Sequence, residues 1–282
     1  MTTDTLPIFG RGSQPSEPDG AEFDYLSMPN EMLTYAMPRI STSLNSPALS
    51  AARQLSIQLQ ANLDNFPAAG NTIDLLSLDD ENRQFIDELL GEGEVAVLID
   101  GGANGRVQES ILAGVWRLQH RDSLGGLVKD SLEVGAFPPS VAETAFAGAA
   151  PSLDVNMAAL PEGVMNAPPL IAELNAHIAS YQSGHDAHVI NLSLLPQTEQ
   201  DLVFLDQSLG RGKVTILSRG YGNCRITATA TTYVWWVQYY NSQDTLILNT
   251  LEICDIPSVA QASAEDIADS SQRLREIVGA YS

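Results

Sequence analysis

An internal repeat with a spacing of 119 residues constrains the fold of this chain more than any other sequence feature. Residues 90–138 align with residues 209–257 without a gap. The matches include Leu90-Gly91 with Leu209-Gly210, Gly101 with Gly220, Asn104 with Asn223, Arg106 with Arg225, Trp116 with Trp235, Glu133 with Glu252 and Pro138 with Pro257. Tryptophan, proline, arginine and several glycines rarely coincide by chance in one frame. The sequence therefore predicts two copies of one structural unit.

Each copy contains helical and strand-like segments in the same order. Apolar residues recur at helical spacing from about residue 47 to 64, a short strand is expected at 72–78, and Asp79 and Gly91 are typical of the two ends of a second helix. Four strands should follow, from residue 95 to 134. These strands lie too close together for crossover helices, so we expect a mostly antiparallel sheet. The segments Leu76-Ser77-Leu78 and Leu192-Ser193-Leu194 align with a shift of 116, which predicts a second helix three residues longer in the later copy.

The expected architecture is an α+β fold built by tandem duplication of a helix-strand-helix-four-strand unit. We place an extended N-terminal arm at residues 1–45, the first repeat at 46–147, a linker at 148–166 and the second repeat, with a closing C-terminal helix, at 167–282. The arm and the linker are rich in proline, which disfavours helix in the residue before it. The sequence leaves open whether the two copies share one sheet.

Charge, hydropathy and cysteine content exclude several classes of function. The chain has 35 acidic and 14 basic residues, a formal net charge of −21, and such a field repels nucleic-acid phosphates. No apolar run approaches the length of a membrane span, and the first residues lack the basic and apolar regions of a secretory signal. The only two cysteines form no disulfide framework, which favours a reducing, cytoplasmic location.

The later copy carries an aromatic strand that the earlier copy lacks. Residues 234–240 read Val-Trp-Trp-Val-Gln-Tyr-Tyr, where residues 115–121 read Val-Trp-Arg-Leu-Gln-His-Arg. Alternate strand residues point to opposite faces, so one face of this strand belongs to the core. The other face is either covered by the rest of the protein or available to a partner, where tryptophan and tyrosine often dominate binding. The candidate partner-binding residues are Trp235, Trp236, Gln238, Tyr240 and Asn241.

No catalytic constellation is evident, and the sequence predicts neither an enzyme nor a cofactor. The glycine-rich segment 100–105 is followed by strand-like sequence instead of the helix of a dinucleotide site, so its glycines are better explained by a hairpin turn. Three polar pairs recur in both copies. They are Asn104 with Asn223, Arg106 with Arg225, and Glu133 with Glu252. We expect the arginine and the glutamate of each copy to form a structural salt bridge between neighbouring strands.

Two groups of residues raise the question of metal binding. His185 and His188 have the i, i+3 spacing of a ligand pair, but the sequence indicates no third ligand. Cys224 and Cys254 occupy positions where the earlier copy has Gly105 and Gly135. A pair of ordinary buried thiols is the preferred interpretation, and a metal or cluster site at the two cysteines is the alternative.

Several segments of the later copy are similar to one known family. They are Gly222-Asn223-Cys224-Arg225-Ile226, Trp235-Trp236-Val237-Gln238-Tyr239-Tyr240-Asn241-Ser242, Leu248-Asn249-Thr250-Leu251-Glu252-Ile253, Ile256-Pro257-Ser258-Val259-Ala260 and Ala264-Glu265-Asp266-Ile267-Ala268-Asp269-Ser270. In the arm, Gly12-Ser13-Gln14-Pro15 and Tyr25-Leu26-Ser27-Met28-Pro29 agree with the same pattern. The chain resembles the HupH/HyaF/HoxQ accessory proteins of [NiFe] uptake hydrogenases along nearly its whole length.

The resemblance implies a role without catalysis. Members of that family are thought to hold the hydrogenase small-subunit precursor, with its twin-arginine signal, while iron–sulfur clusters are installed and before export. A thioredoxin-like accessory protein is an expected further partner. Two alternatives stay open at this point. One is a metal or cluster carrier that uses Cys224 and Cys254, and the other is a small-molecule enzyme with its site between the two copies.

Overall fold

The computed structural model describes residues 46–68, 70–220 and 222–280. The predicted arm at residues 1–45 lies outside these residues. The described residues form six α-helices and one ten-stranded sheet. The α+β class and the antiparallel pairing are confirmed, because every strand pair named in the sheet is antiparallel.

The two halves follow the same order of helix, strand, helix and four strands. The first half contains α1 (Ser50–Asp64), β1 (Ile73–Asp74), α2 (Asp80–Leu90), β2 (Val95–Ile99), β3 (Gly105–Glu109), β4 (Val115–Arg121), β5 (Leu127–Val134) and α3 (Pro139–Thr144). The second half contains α4 (Ala167–Ser180), β6 (His188–Asn191), α5 (Glu199–Leu209), β7 (Val214–Ser218), β8 (Asn223–Ala228), β9 (Val234–Tyr240), β10 (Leu246–Ile253) and α6 (Ala264–Ala280).

One continuous sheet joins the halves, in the order β1-β5-β4-β3-β2-β7-β8-β9-β10-β6. The halves join where β2 pairs with β7. Val97 lies opposite Ile216, its own counterpart in the repeat, and Ala96 lies opposite Leu217, the counterpart of Leu98. The two halves are therefore related by a local two-fold axis through this pair. Backbone hydrogen bonds across the junction leave no cleft between two separate lobes in the described part of the chain.

Among the described residues, helices cover the two ends of one sheet face and none lies over its centre. Helices α1, α2 and α6 pack with Leu132 and Val134 over one end, and α4 and α5 pack with Leu251 and Ile253 over the other. The opposite face forms a central core around Trp116 and Trp235, covered by α3 and by the segment after β10. We call the helix-bearing side of the sheet the outer face and the opposite side the inner face.

The signals at the helix ends act as expected, and one predicted length is wrong. Asp79 accepts a hydrogen bond from the N–H of Asn82 at the start of α2, and Gly91 ends the helix with φ +52°. Helices α2 and α5 both have 11 residues, so the later helix is not three residues longer. The side chains of Asp74 and Asn191 each accept a hydrogen bond from the backbone N–H of the residue two positions later. Strands β1 and β6 therefore correspond with a spacing of 117 residues. The two extra residues lie in the connection from β6 to α5.

No helix in the described part of the chain has the length and apolar character needed to cross a membrane.

Candidate functional site

Both halves contribute to the centre of the outer face, over which no described helix lies. We call it the open face. The strand registers place eight side chains on it, namely Ala96, Leu98, Arg106, Gln108, Thr215, Leu217, Arg225 and Thr227. All of them are half-buried except Arg106, which is exposed. They form a mixed apolar and polar surface, continuous across β3, β2, β7 and β8.

Two acidic residues at equivalent positions lie beside the open face. Asp87 projects from α2 and forms an ion pair with Arg117 of β4. Asp206 projects from α5 and lines a small cavity of about 40 Å³ together with Arg225, Trp236 and Gln238. The open face thus carries two arginines, Arg106 and Arg225, and has an acidic residue on each flanking helix.

The structure separates the five candidate partner-binding residues into three groups. Trp236, Gln238 and Tyr240 lie on the outer face of β9, at the margin of the open face, and are half-buried. Trp235 has 0% exposure, and its indole N–H donates to the backbone oxygens of Cys254 and Asp255. The prediction that Trp235 contributes to a contact surface is therefore wrong, because its ring fills the inner core. The Asn241 side chain accepts hydrogen bonds from the N–H groups of the following hairpin turn.

The aromatic substitution in the later copy replaces a buried ion pair. In the first half, Arg117 donates to the fully buried carboxylate of Asp130, with Nε to Oδ1 at 2.8 Å and Nη2 to Oδ2 at 2.7 Å. At the equivalent positions of the second half, the Trp236 indole N–H donates to the buried amide oxygen of Asn249. An unpaired charge at either position would be costly. The tryptophan therefore has both a structural partner and a half-exposed ring.

The predicted salt bridges between Arg106 and Glu133 and between Arg225 and Glu252 are wrong. Strand β4 lies between β3 and β5, and β9 lies between β8 and β10. The arginines point to the outer face, whereas the glutamates share cross-strand rows with Trp116 and Trp235 on the inner face. The recurring asparagines, Asn104 and Asn223, both lie where the turn meets the strand that follows it. Asn104 donates a hydrogen bond to the Asp100 carboxylate in the β2–β3 turn, and Asn223 is the first residue of β8.

The two cysteines lie in the inner core with other titratable groups. Cys224 faces Tyr239 across β8 and β9, and Cys254 follows β10. Burial and the Glu252 carboxylate raise the pKa of the Cys224 thiol to about 12 and also raise the pKa of Cys254. Burial also raises the pKa of Glu252. In the metal-free protein the two thiols are therefore protonated at neutral pH, as expected for ordinary buried cysteines.

Among the residues that the structure describes, neither cysteine belongs to a group of three potential metal ligands. The one such group consists of Glu173, His177 and His188. His188 thus has two companions, but neither is His185. The sequence missed this group because its members come from a helix and from a separate strand, with no motif spacing between them.

A cavity of about 320 Å³ lies outside the junction of the halves. It is a shallow space between the segment at residues 161–164 and α5, lined by Glu162, Glu199 and mostly apolar or amide side chains. The small-molecule enzyme hypothesis placed its site between the copies, where the structure has the β2–β7 pairing.

Comparison with known proteins relates both halves to one family. The model of the HupH hydrogenase expression protein, C-terminal conserved region, matches residues 46–154 and again residues 164–281. The chain is 44% identical to the hydrogenase expression/formation protein HoxQ of Cupriavidus necator, over 99% of this chain and 98% of the relative. It is 46% identical to HupH of Rhodobacter capsulatus, over 96% and 95%. It is 34% identical to the hydrogenase-1 operon protein HyaF of Escherichia coli, over 98% and 96%.

A solved structure is also similar to part of the chain. It is the hydrogenase expression protein HupH from Thiobacillus denitrificans, which is 29% identical and matches with a TM-score of 0.39, over 41% of this chain and 96% of that structure.

Proposed function

Because this chain belongs to the HupH hydrogenase expression protein family, we propose that it is an accessory protein that binds the small-subunit precursor of a [NiFe] uptake hydrogenase. In this proposal it holds the precursor in the cytoplasm during iron–sulfur cluster assembly, before export. It does no chemistry of its own. A thioredoxin-like accessory protein is the proposed further partner.

The open face is the observation that best supports a binding role. Within the described part of the chain, helices cover both ends of the sheet face but not its centre, which presents a broad surface of half-buried side chains. Trp236 and Tyr240 stand at its margin, and a half-exposed aromatic ring held by a hydrogen bond loses little conformational entropy on binding. We place the precursor on this surface, at the β8–β9 side.

Charge supports the choice of a polypeptide with a basic segment as the occupant. The net charge of −21 attracts basic chains and repels nucleic acid. Asp87 and Asp206 stand on the helices that flank the open face and add negative charge there, although Asp87 also pairs with Arg117. We propose that an arginine of the signal segment binds at the exposed part of these carboxylates. Binding that depends on such pairs weakens as the salt concentration rises.

The experiment measures capture of the precursor by purified full-length protein. We expect Trp236→Ala and Gln238→Arg each to raise the dissociation constant of the precursor by more than about tenfold, since both change the margin of the open face. The control is Gln272→Arg, which makes the same change of charge at an exposed position of α6. Thermal unfolding of each variant is measured in parallel, because the Trp236 ring also packs against the α4–α5 core.

A folded Gln238→Arg protein with the affinity of the wild type would place the client elsewhere. Equal affinity for the precursor and for an unrelated basic polypeptide would contradict the chaperone proposal itself.

We also infer that the two halves arose by tandem duplication, with units at residues 46–147 and 167–282. Three observations support this inference. The family's conserved region matches each half separately, the elements follow the same order, and β2 and β7 pair about a local two-fold axis.

The metal-carrier alternative with Cys224 and Cys254 has no comparable support. Both thiols are buried, and among the described residues neither belongs to a group of three potential ligand atoms within 4.8 Å of one another.

A further inference from the structure

We propose that Glu173, His177 and His188 form a binding site for a borderline divalent cation such as Zn²⁺. Glu173 and His177 stand one turn apart on the same side of α4, and His188 is the first residue of β6. One potential ligand atom from each residue lies within 4.8 Å of the others. The proposal concerns residues away from the open face and is independent of the proposed function.

The three side chains are in direct contact with one another in the absence of an ion. His188 Nε2 lies 2.9 Å from Glu173 Oε1, and the rings of His177 and His188 are stacked with centroids 3.4 Å apart and planes 10° apart. Ligands at about 2.0–2.2 Å from a tetrahedral metal ion are separated by roughly 3.3–3.6 Å. To ligate one ion, the two imidazole rings must turn out of their parallel stack and an ion must replace the His188–Glu173 hydrogen bond, which leaves a fourth position open to water or to a ligand from a partner.

The donor set selects the class of metal. Two imidazole nitrogens and one carboxylate oxygen suit Zn²⁺, Co²⁺, Ni²⁺ and Cu²⁺, whereas Mg²⁺ prefers an all-oxygen shell. The three side chains are partly exposed, so an ion reaches them from solvent. The side chains of His188 and Glu173 are 31% and 43% exposed. An ion pair between such exposed groups contributes little to stability by itself.

The backbone around the site is held in place by hydrogen bonds from outside it. The carboxylate of Asp255 accepts from the Ser183 hydroxyl at 2.7 Å and from the Gly184 N–H at 2.8 Å. The Asp255 N–H in turn donates to the Tyr181 hydroxyl at 2.9 Å. These contacts fix the connection between α4 and β6, and with it the position of His188 relative to α4. A site with a fixed backbone loses less entropy when it binds an ion.

The first half shows that the fold does not require these residue types. The buried positions of α1 and α4 match with an offset of 115, and β1 and β6 match with an offset of 117. The counterparts of the three ligands are therefore Gln58, Asn62 and Asn71. The Asn62 amide donates to the Asn71 carbonyl oxygen at 2.8 Å, so the same two positions meet in both halves. Only the second half carries imidazole and carboxylate ligands there.

The experiment is a competitive titration of untagged, chelator-treated, full-length protein with Zn²⁺ against a chromophoric chelator. We expect one Zn²⁺ per chain and no measurable competition from Mg²⁺. His177→Ala and His188→Ala should each weaken binding by more than about tenfold, since loss of a direct ligand costs at least as much as loss of its outer partners. Glu173→Gln should weaken it less, because the amide oxygen remains a poorer ligand.

The matched control is His185→Ala, which removes an exposed histidine from the same connection but not from the cluster. It should leave the Zn²⁺ affinity unchanged. Thermal unfolding with and without Zn²⁺ adds a second readout, since an ion that binds only the folded state raises the unfolding temperature of the wild type and not of His188→Ala.

Wild-type affinity in a folded variant lacking both His177 and His188 would overturn the proposal, as would equal losses from His185→Ala. The assay contains no hydrogenase component, so its outcome does not depend on the proposed chaperone role.

Discussion

A buried glutamate gives the chain a measurable dependence of stability on pH. Glu109 ends β3 on the inner face, is 7% exposed, and accepts a hydrogen bond from the Gly114 N–H at 3.3 Å. Burial, aided by the negative charges of Glu94 and Asp266, raises the pKa of Glu109 from 4.5 to about 7. We predict that the stability of Glu109→Gln, measured relative to wild type, is higher at pH 8 than at pH 5.

The sign follows from proton binding. Between pH 4.5 and 7 the folded protein keeps the Glu109 proton that the unfolded chain releases, so the stability from this residue is complete below pH 4.5 and is lost as the pH rises to 7. One pKa unit corresponds to about 1.4 kcal/mol, so the full cost of ionising the buried carboxyl is about 3 kcal/mol. Between pH 5 and pH 8, the free energy of unfolding of Glu109→Gln should rise by about 2 to 3 kcal/mol relative to wild type.

Urea unfolding of both proteins at closely spaced pH values measures this difference, in which all other titrating groups cancel. Glu143→Gln, at an exposed position of α3, makes the same change of formal charge and measures the effect of net charge alone. A difference between wild type and Glu109→Gln that stays constant from pH 5 to pH 8, or that shifts equally with Glu143→Gln, would refute the reasoning.

Two further predictions concern buried groups. Asp201 should be important for the start of α4, because its Oδ1 accepts hydrogen bonds from the N–H groups of residues 165–167. Although burial raises the pKa of Asp201, these bonds and those to Thr198 lower it to about 2. Asp201→Ala should therefore cost about 2 kcal/mol at neutral pH, and the deficit in urea unfolding should shrink as the pH falls from 3.8 to 2. Cys224 and Cys254 should resist a thiol reagent in the native protein and react in denaturant, and rapid native labelling would contradict their burial.

The local elements could be predicted because their signals lie within a few residues of each other. Asp79 and Gly91 bound α2, since a side-chain acceptor and a left-handed glycine act on the adjacent backbone. The alternation in Val234–Tyr240 correctly assigned Trp235 and Trp236 to opposite faces, because the period of a strand is two residues.

The pairing of residues distant in the sequence could not be predicted in this way. The Arg–Glu salt bridges failed because the intervening strands β4 and β9 separate them, and strand order is a property of the whole sheet. The group of Glu173, His177 and His188 was missed for a similar reason, since the docking of α4 beside β6 brings it together.

The sequence by itself determined the repeated order of elements, the antiparallel character of the sheet and the faces of its strands. These depend on residue periodicity and on backbone preferences over a few residues. Only the tertiary structure decided that β2 and β7 join the halves into one sheet and that the described helices cover the ends of its outer face and not its centre. It also decided that Trp235 lies in the core while Trp236 is partly exposed. Those features depend on which apolar faces cover one another, and that is settled by the packing of the whole chain.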